Sequence, residues 1–491
     1  MARHPVADKA AGKILGEALR GAGYSEDGVS DLLGDDALSG DREDTPLFER
    51  RLPQTRLATV VRAFFLQQSV PTSAAVRALG RRAVEALEVT ALAKVEDEVV
   101  PRVRIVPVGE LLIASDDYPG GAEPSDYVAA YTPTSQACDA LTPRRRVARA
   151  LDVGSGSGVQ ALLAARHARH VVATDVNARA LAYTELNAAL NGLTNIECRQ
   201  GSLFDPVEGE SFDLITCNAP YVVSPEQRWA YRDGGLQADE LSERIVRQAA
   251  KHLNEGGFAT LLVSWVASDQ DAPDERALAW TEKLACDSWI LPVWEADPLE
   301  HAATWNVELA RDAKAFGSAL DDWTKYLTRL GVRWVSEGAI LLHRRSGRRH
   351  TVRVDLVEED ALEDAGEQVR RAFANRARLS ELEKLSELLD ARLDVATTLH
   401  LERELKPRRG RAGARAARIH LDEGTNSTVE ATSDSLEIVA SLDGSAPLGE
   451  VVRAAADRLS LSEAETSKLS REALKVSREL LELGALGFHQ P

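Results

Sequence analysis

Apolar positions recur every three to four residues through ADKAAGKILGEALRGAG, which predicts a helix closing at a glycine. RLATVVRAFFLQQSV repeats the pattern and predicts a second helix stopped by Pro71. Thr72 or Ser73 then stands where a cap is needed for a third helix over AAVRALGRRAVEALE. RVRIVPVGELLIASD switches to the shorter strand rhythm, two strands about a glycine turn. Residues 116–149, rich in Gly, Pro and Asp, predict a linker that continues through YTPTSQACDALTP to a solvated surface turn at Arg144, Arg145 and Arg146. From 150 to 345 the pattern alternates. RALDV, HVVATDV, NIECRQG, DLITCN and FATLLVSWV predict strands. VQALLAARHA, ARALAYTELNAALNG and ELSERIVRQAAKHLNEGG predict helices between them, the last with a glycine stop. Beyond 346, EDAGEQVRRAFANRARLSELEKLSELLDARLDVATTL predicts a charged helix and ELKPRRGRAGARAAR a flexible basic loop. SLEIVASLDG predicts a strand and turn. APLGEVVRAAADRLSL and SKLSREALKVSRELLELG predict helices, the second capped by Gly484, with ALGF as a short closing strand.

Strands alternating with helices at this spacing imply an α/β protein whose centre is a Rossmann-like, doubly wound parallel sheet. The chain of 491 residues is too long for one core, and length alone favours about three domains. The patterns divide it at 1–115, 116–345 and 346–491. Helices followed by a hairpin make the first region a small helical, winged-helix-like domain or, equally, a helical cap over the centre. The last region carries a similar winged-helix-like pattern, with protein docking and nucleic-acid contact both open.

Composition narrows the function classes. A net charge of −18 opposes non-specific binding to phosphate-rich surfaces. The local exceptions are Arg344–Arg353 and the six basic residues from Lys406 to Arg418. Cys138, Cys198, Cys217 and Cys286 are scattered, so neither a disulfide framework nor a metal site is expected. The first residues lack an apolar signal core and no apolar run approaches the roughly 20 residues a bilayer needs, so a cytoplasmic protein with no membrane partner is expected. All eight tryptophans fall between Trp229 and Trp334, which suits core packing, with an aromatic wall around a substrate groove as the other reading.

Four stretches carry candidate chemistry. In LDVGSGSGVQALL a strand ends at Asp152, and Gly154, Gly156 and Gly158, with Ser155 between, form a tight turn before a helix. Glycine belongs where the backbone meets a ligand closely or takes positive φ, and the helix N-terminus behind it favours an anion. Val159 stands where the dinucleotide fingerprint needs a glycine, which turns the reading from NAD towards S-adenosylmethionine. HVVATDV ends in Asp175, followed by Val176. An acid at the end of the second strand can accept hydrogen bonds from two ribose hydroxyls. GSLFDP brings Ser202, Leu203 and Asp205 to the end of the third strand, where adenine would lie. Finally, Asn218-Ala219-Pro220-Tyr221 follows FDLITC. The Asn218 side-chain oxygen and the Ala219 carbonyl can hold both N–H groups of a planar nitrogen and aim its lone pair at a sulfonium methyl, with Tyr221 stacking on the flat target. Asn218 therefore belongs to both the cofactor and the catalytic set.

The block from Leu151 to Gly235, through VGSGSGV, TDVN, SLFDP, NAPYVVSPEQ and YRDGG, resembles class I methyltransferases with an NPPY signature. It is most similar to the HemK-type protein glutamine methyltransferases, which act on the GGQ glutamine of release factors. Ala219 stands where that family has its first proline, while Pro220 still holds residue 219 extended. The resemblance implies S-adenosylmethionine as cofactor and a protein acceptor, release-factor-like or ribosome-associated. The same signature occurs in adenine N6-methyltransferases of RNA and DNA, which keeps RNA open as a partner and requires a paired base to be flipped out. A docking protein that keeps the fold without catalysis is the third reading.

Overall fold

The computed structural model describes residues 5–34, 44–117, 125–218, 220–225, 238–347, 349–358, 362–408 and 411–489. It divides into two compact units, Met1–Cys138 with Arg145–Glu282 and Glu295–Ile340, and Asp139–Arg144 with Lys283–Trp294 and Leu341–Pro491.

The first unit is organised by α1 (Pro133–Leu141), β1 (Val147–Val153), α2 (Val159–Ala165), β2 (Ala168–Asp175), α3 (Ala178–Leu190), β3 (Ile196–Gln200), β4 (Phe212–Cys217), α4 (Glu240–His252) and β5 (Leu253–Ala267). The five strands run in the order β5-β4-β1-β2-β3, and every neighbouring pair is parallel. The chain thus steps outward from β1 to β3, then returns to the other flank of β1 for β4 and β5. Such a reversal opens a crevice at the carboxyl ends of β1 and β4. These strands are nearly continuous apolar runs because helices cover both faces: Leu151, Val153, Val171, Val172, Ile215 and Cys217 are all buried. This is the mixed α/β, Rossmann-like core expected from the alternation.

The N-terminal elements share a core with this sheet's helices. Leu15, Leu19, Phe64 and Ile113 cluster with Leu186 and Leu190. Helix Lys9–Gly21 comes very close to the end of α3: a Cβ on Gly12 would lie 2.6 Å from Ala189 Cβ, so only glycine allows the approach. The antiparallel pair Arg104–Val108 and Leu111–Ser115 is held to α3 by side-chain amides. Asn187 Oδ1 accepts the Ala114 N–H at 2.8 Å and its Nδ2 donates to the Ala114 carbonyl at 2.8 Å, while Asn191 treats Leu112 in the same way.

Several expectations are corrected. The second helix ends at Phe65, its last turn widened into a π-helix over Val61–Phe65, and Val70–Pro71 pairs as a strand with Glu98 and Val99. Thr72 caps nothing; it is the first residue of helix Thr72–Leu79, and its hydroxyl donates to the Glu96 carbonyl at 2.7 Å. Gly80, at φ +87°, splits the third helix in two. The linker contains α1. The glycine stop after α4 is not a stop: α4 ends at His252, and Gly256 and Gly257 lie inside β5, where the ladder shifts register between Leu253 and Phe258. The expected surface turn is there: Arg145 and Arg146 are exposed, and Arg145 also donates to the Gly256 carbonyl at 2.5 Å.

In the second unit the charged helix runs only from Gly366 to Glu381 and gives way to a 3₁₀ turn at Leu385–Asp390 and strand Arg392–Val395. The basic segment expected to be a loop is an antiparallel hairpin, Leu399–Arg408 with Arg411–Leu421. Backbone pairing does not depend on the charge of side chains, and the register sets Leu401 opposite Ile419 so that Ile419, Leu421 and Val429 are buried. Ser433–Val439 is a helix, not a strand, begun by the Thr432 hydroxyl accepting the Ser435 N–H at 3.3 Å. Helices Leu448–Arg458 and Glu463–Glu482 and strand Leu486–Phe488 form where expected, with Gly484 at φ +74° after the last helix. Trp265, Trp289 and Trp323 are fully buried, as core packing requires. No helix among the described residues is long and apolar enough to cross a membrane.

Candidate active site

The site is built at the carboxyl ends of β1, β2 and β4. Val153, the last residue of β1, pairs with Cys217, the last of β4. Gly154 and Asn218 therefore leave the sheet at the same level on adjacent strands, on the two sides of the crevice.

The glycine turn has the conformation its composition requires. Gly154, Gly156 and Gly158 have φ of +69°, +56° and +85°. A Cβ on Gly158 would come within 2.9 Å of Thr184 Cγ2 and Oγ1, so this glycine lets the turn pack on α3. A Cβ on Gly156 would meet nothing within 4 Å. That open space lies just before the start of α2, where the partial positive charge of the helix points. The turn is pinned from below: the Gly154 and Ser155 N–H groups donate to the Thr174 carbonyl at 2.8 and 3.0 Å, and the Asn187 amide donates to the Ser157 carbonyl at 2.8 Å.

Asp152 is buried under the turn. Its carboxylate accepts the Thr216 hydroxyl at 2.9 Å and the Ala161 N–H at 3.0 Å, joining β1, β4 and α2. Asp175 sits beside the turn and accepts the Gly156 N–H at 2.9 Å and the Asn177 N–H at 2.8 Å. Burial pushes its carboxyl above the usual range, and these backbone donors act against that shift. Val176, which follows, is 54% exposed. Leu203 takes φ +48°, and its carbonyl accepts the Thr174 hydroxyl at 3.0 Å. Ser202 and Asp205 are exposed; Ser202 accepts the Asp205 N–H at 2.9 Å, and Arg244 lies 3.4 Å from the Asp205 carboxylate.

The Asn218 side chain is half-buried, and its Nδ2 donates to Thr134 Oγ1 at 3.2 Å and Ser135 Oγ at 3.5 Å. The Ser135 carbonyl in turn accepts from Gln160 Nε2 on α2 at 2.9 Å. After the motif the chain is anchored: the Tyr221 carbonyl accepts the Ser264 hydroxyl, and the Val223 carbonyl lies 3.0 Å from His301 Nε2. Ala219 and the YRDGG stretch lie outside the described residues.

The Asp175 carboxylate thus joins the glycine turn to the end of β2, the Thr174 hydroxyl joins β2 to the Ser202–Leu203 turn, and Asn218 follows the end of the neighbouring strand. Thr134, Ser135 and Gln160 escaped the sequence reading. The signal was there: Thr132-Pro133-Thr134-Ser135 is a capping residue, a proline at the first helical position and a polar turn.

Residues 138–271 match the family described as Methyltransferase small domain, and residues 21–104 match a domain of unknown function (DUF7059). A release factor glutamine methyltransferase of Xylella fastidiosa is 36% identical over 135 residues, 25% of this chain and 47% of that protein. One from Aquifex aeolicus is 35% identical over 136 residues, 25% of this chain and 48% of the relative. A ribosomal protein uL3 glutamine methyltransferase of Bradyrhizobium diazoefficiens is 36% identical over 165 residues, 31% of this chain and 52% of the relative. The chain spans about half the length of these relatives. With the 3-2-1-4-5 strand order, the glycine turn and these matches together, the first unit has a class I S-adenosylmethionine-dependent methyltransferase fold related to the HemK and release factor glutamine methyltransferase family.

Proposed function

We propose that this protein is an S-adenosylmethionine-dependent N-methyltransferase whose acceptor is a planar nitrogen, a glutamine side chain of a protein. The observation that carries the reading is the shared exit level of β1 and β4, with Val153 opposite Cys217, from which the glycine turn and Asn218 both depart. The names of the relatives support the acceptor class: they act on glutamine of release factors and of a ribosomal protein.

The residues fit the donor. The turn leaves open space above Gly156, beside an electropositive helix start, for a carboxylate. Asp175 keeps lone pairs for ribose hydroxyls beyond the two N–H groups it already accepts. Val176 and Leu203 offer apolar surface to a base, with Ser202 and Asp205 at its edge. Asp152 acts underneath, holding the turn in shape. Bound there, S-adenosylmethionine supplies an electrophilic methyl on a sulfonium sulfur.

Asn218 does the positioning. Its Nδ2 is engaged by α1, so its Oδ1 is the atom left to accept an N–H of the acceptor. An amide nitrogen is a poor nucleophile because its lone pair is delocalised. Holding that N–H turns the lone pair out of conjugation and towards the methyl group. With the donor bound, the nitrogen held by Asn218 would gain an N–C bond as the methyl–sulfur bond is lost, and would then shed one proton to solvent. Tyr221 stacks on the planar acceptor.

The test is Asn218→Ala with labelled donor and fractionated cell extract. Transfer should be abolished while donor affinity by calorimetry stays within about threefold, as expected for an interaction made only with the acceptor. An unchanged rate sinks the role of Asn218. Label recovered in RNA, with none in protein, overturns the glutamine acceptor.

A further inference from the structure

We propose that Thr134 and Ser135, in the first turn of α1, are positioning residues that set which end of the Asn218 amide faces the acceptor. This rests on the reading of Asn218 as the acceptor-holding group.

A carboxamide has two ends of nearly equal size, one a double donor and one an acceptor. Turned by half a rotation, Asn218 would offer N–H groups to the N–H of its acceptor, and the two would repel. Something must select the productive rotamer. The strand cannot, because Asn218 lies one residue past its end.

Proton counting at α1 supplies the selection. Thr132 Oγ1 accepts the Ser135 N–H at 3.2 Å, and lies 3.0 Å from both the Thr134 and the Ser135 hydroxyls. Thr132 has one hydroxyl hydrogen, so it can donate to only one of these two neighbours. The other must donate its own hydrogen to Thr132. That hydroxyl then has only lone pairs left for Asn218, at 3.2 Å from Thr134 or 3.5 Å from Ser135. The remaining hydroxyl keeps its hydrogen, so an oxygen end turned to the helix could accept from that one alone and would face lone pairs at its neighbour, whereas the NH₂ end can donate to both. The amide nitrogen is drawn to the helix and Oδ1 is turned away from it.

The cluster is itself held firmly. Pro133 has no N–H to disturb the first turn. The Ser135 carbonyl is fixed by Gln160, which is buried in α2 behind the glycine turn. The orientation of Asn218 is thereby coupled to the element that begins the donor-binding turn.

The test compares the double variant Thr134→Val/Ser135→Ala with Thr134→Ser, which keeps both hydroxyls. The first readout is the Asn218 side-chain NH₂ resonance in asparagine-labelled protein, identified by its absence in Asn218→Ala. The double variant should shift and broaden it, while Thr134→Ser leaves it in place. The second is methyl transfer to a synthetic peptide containing Gly-Gly-Gln. The double variant should lose about 10- to 100-fold in kcat with unchanged donor affinity, the scale of a misoriented reacting group, and Thr134→Ser should recover it. An NH₂ resonance unmoved in the double variant overturns the inference. If the unmodified protein does not methylate the peptide, the glutamine reading fails, and the resonance still decides this one.

Discussion

Asp175 accepts the backbone N–H of Gly156 at 2.9 Å, so the end of β2 and the apex of the glycine turn form one hydrogen-bonded unit. A carboxylate that both shapes the turn and receives the donor should show two opposite effects of pH. Burial raises its folded-state pKa, so the ionised form costs the free protein stability, and that cost appears as pH rises through the carboxylate range. Measured by urea midpoint against Asp175→Asn, which forfeits one of the two backbone hydrogen bonds at every pH, the parent should lose relative stability as pH rises through that range. Donor affinity should move the other way. It should weaken by about tenfold or more in Asp175→Asn, since hydrogen bonds to a charged group contribute roughly 1.5–3 kcal/mol. In the parent it should fall as pH drops through a titration above the ordinary carboxylate range. Equal donor affinity in the two proteins at neutral pH would remove Asp175 from the site.

Two glycines of the same turn should fail differently. At Gly158, Ala meets Thr184 at 2.9 Å in a left-handed conformation, and the loss of stability should reach about 2–3 kcal/mol. At Gly156, Ala finds open space, so only the conformational cost of about 1 kcal/mol applies. Its methyl would nonetheless stand where the donor is proposed to lie. Calorimetry should find Gly156→Ala folded and weak in donor binding. Tight donor binding by that variant would put the ligand elsewhere.

Asn187 joins α3, the antiparallel pair ending at Ser115 and the glycine turn through the Ala114 backbone and the Ser157 carbonyl. Asn187→Leu buries those groups without partners, and about 3 kcal/mol or more of stability should be lost. Hydrogen exchange at Ala114 is the local probe. Protection there that matches the parent would show that the amide is dispensable.

Asp239 is fully buried ahead of α4, and burial raises its pKa against the opposing pull of Arg276 and the Val266 N–H. Arg276 contacts it with Nε at 2.7 Å and Nη2 at 2.6 Å. Removing the arginine strands a charge in the core. Because Arg276 is partly exposed, the loss in Arg276→Ala should be roughly 2–3 kcal/mol at neutral pH, below that of a fully enclosed pair. The loss should shrink in acid as Asp239 takes up a proton. A pH-independent deficit would show that the lost contact is packing and not charge.

The five parallel strands β1–β5 and the turns that follow β1, β2 and β4 were legible in the order of the residues. Short apolar runs between amphipathic helices admit few folds, and three glycines that need positive φ declare a turn wherever they stand. The hairpin of the basic segment was not legible, because Gly, Pro and Arg suit a loop until a partner strand fixes their register. The helix at Pro133–Leu141 was passed over because nine residues that begin with a proline look like connection until something packs on them.

The local sequence by itself determined Asn218 as a polar stop at the end of a buried strand, and marked Asp175 and the glycines as candidate donor-binding residues. Only the tertiary structure decided what Asn218 faces. Thr134 is more than 80 positions away along the chain, and its hydroxyl reaches the amide because β4 returns beside β1 after the sheet reverses. A residue type carries its own donors and acceptors, but which of them is spent on the protein and which is left for a substrate depends on neighbours that only folding supplies.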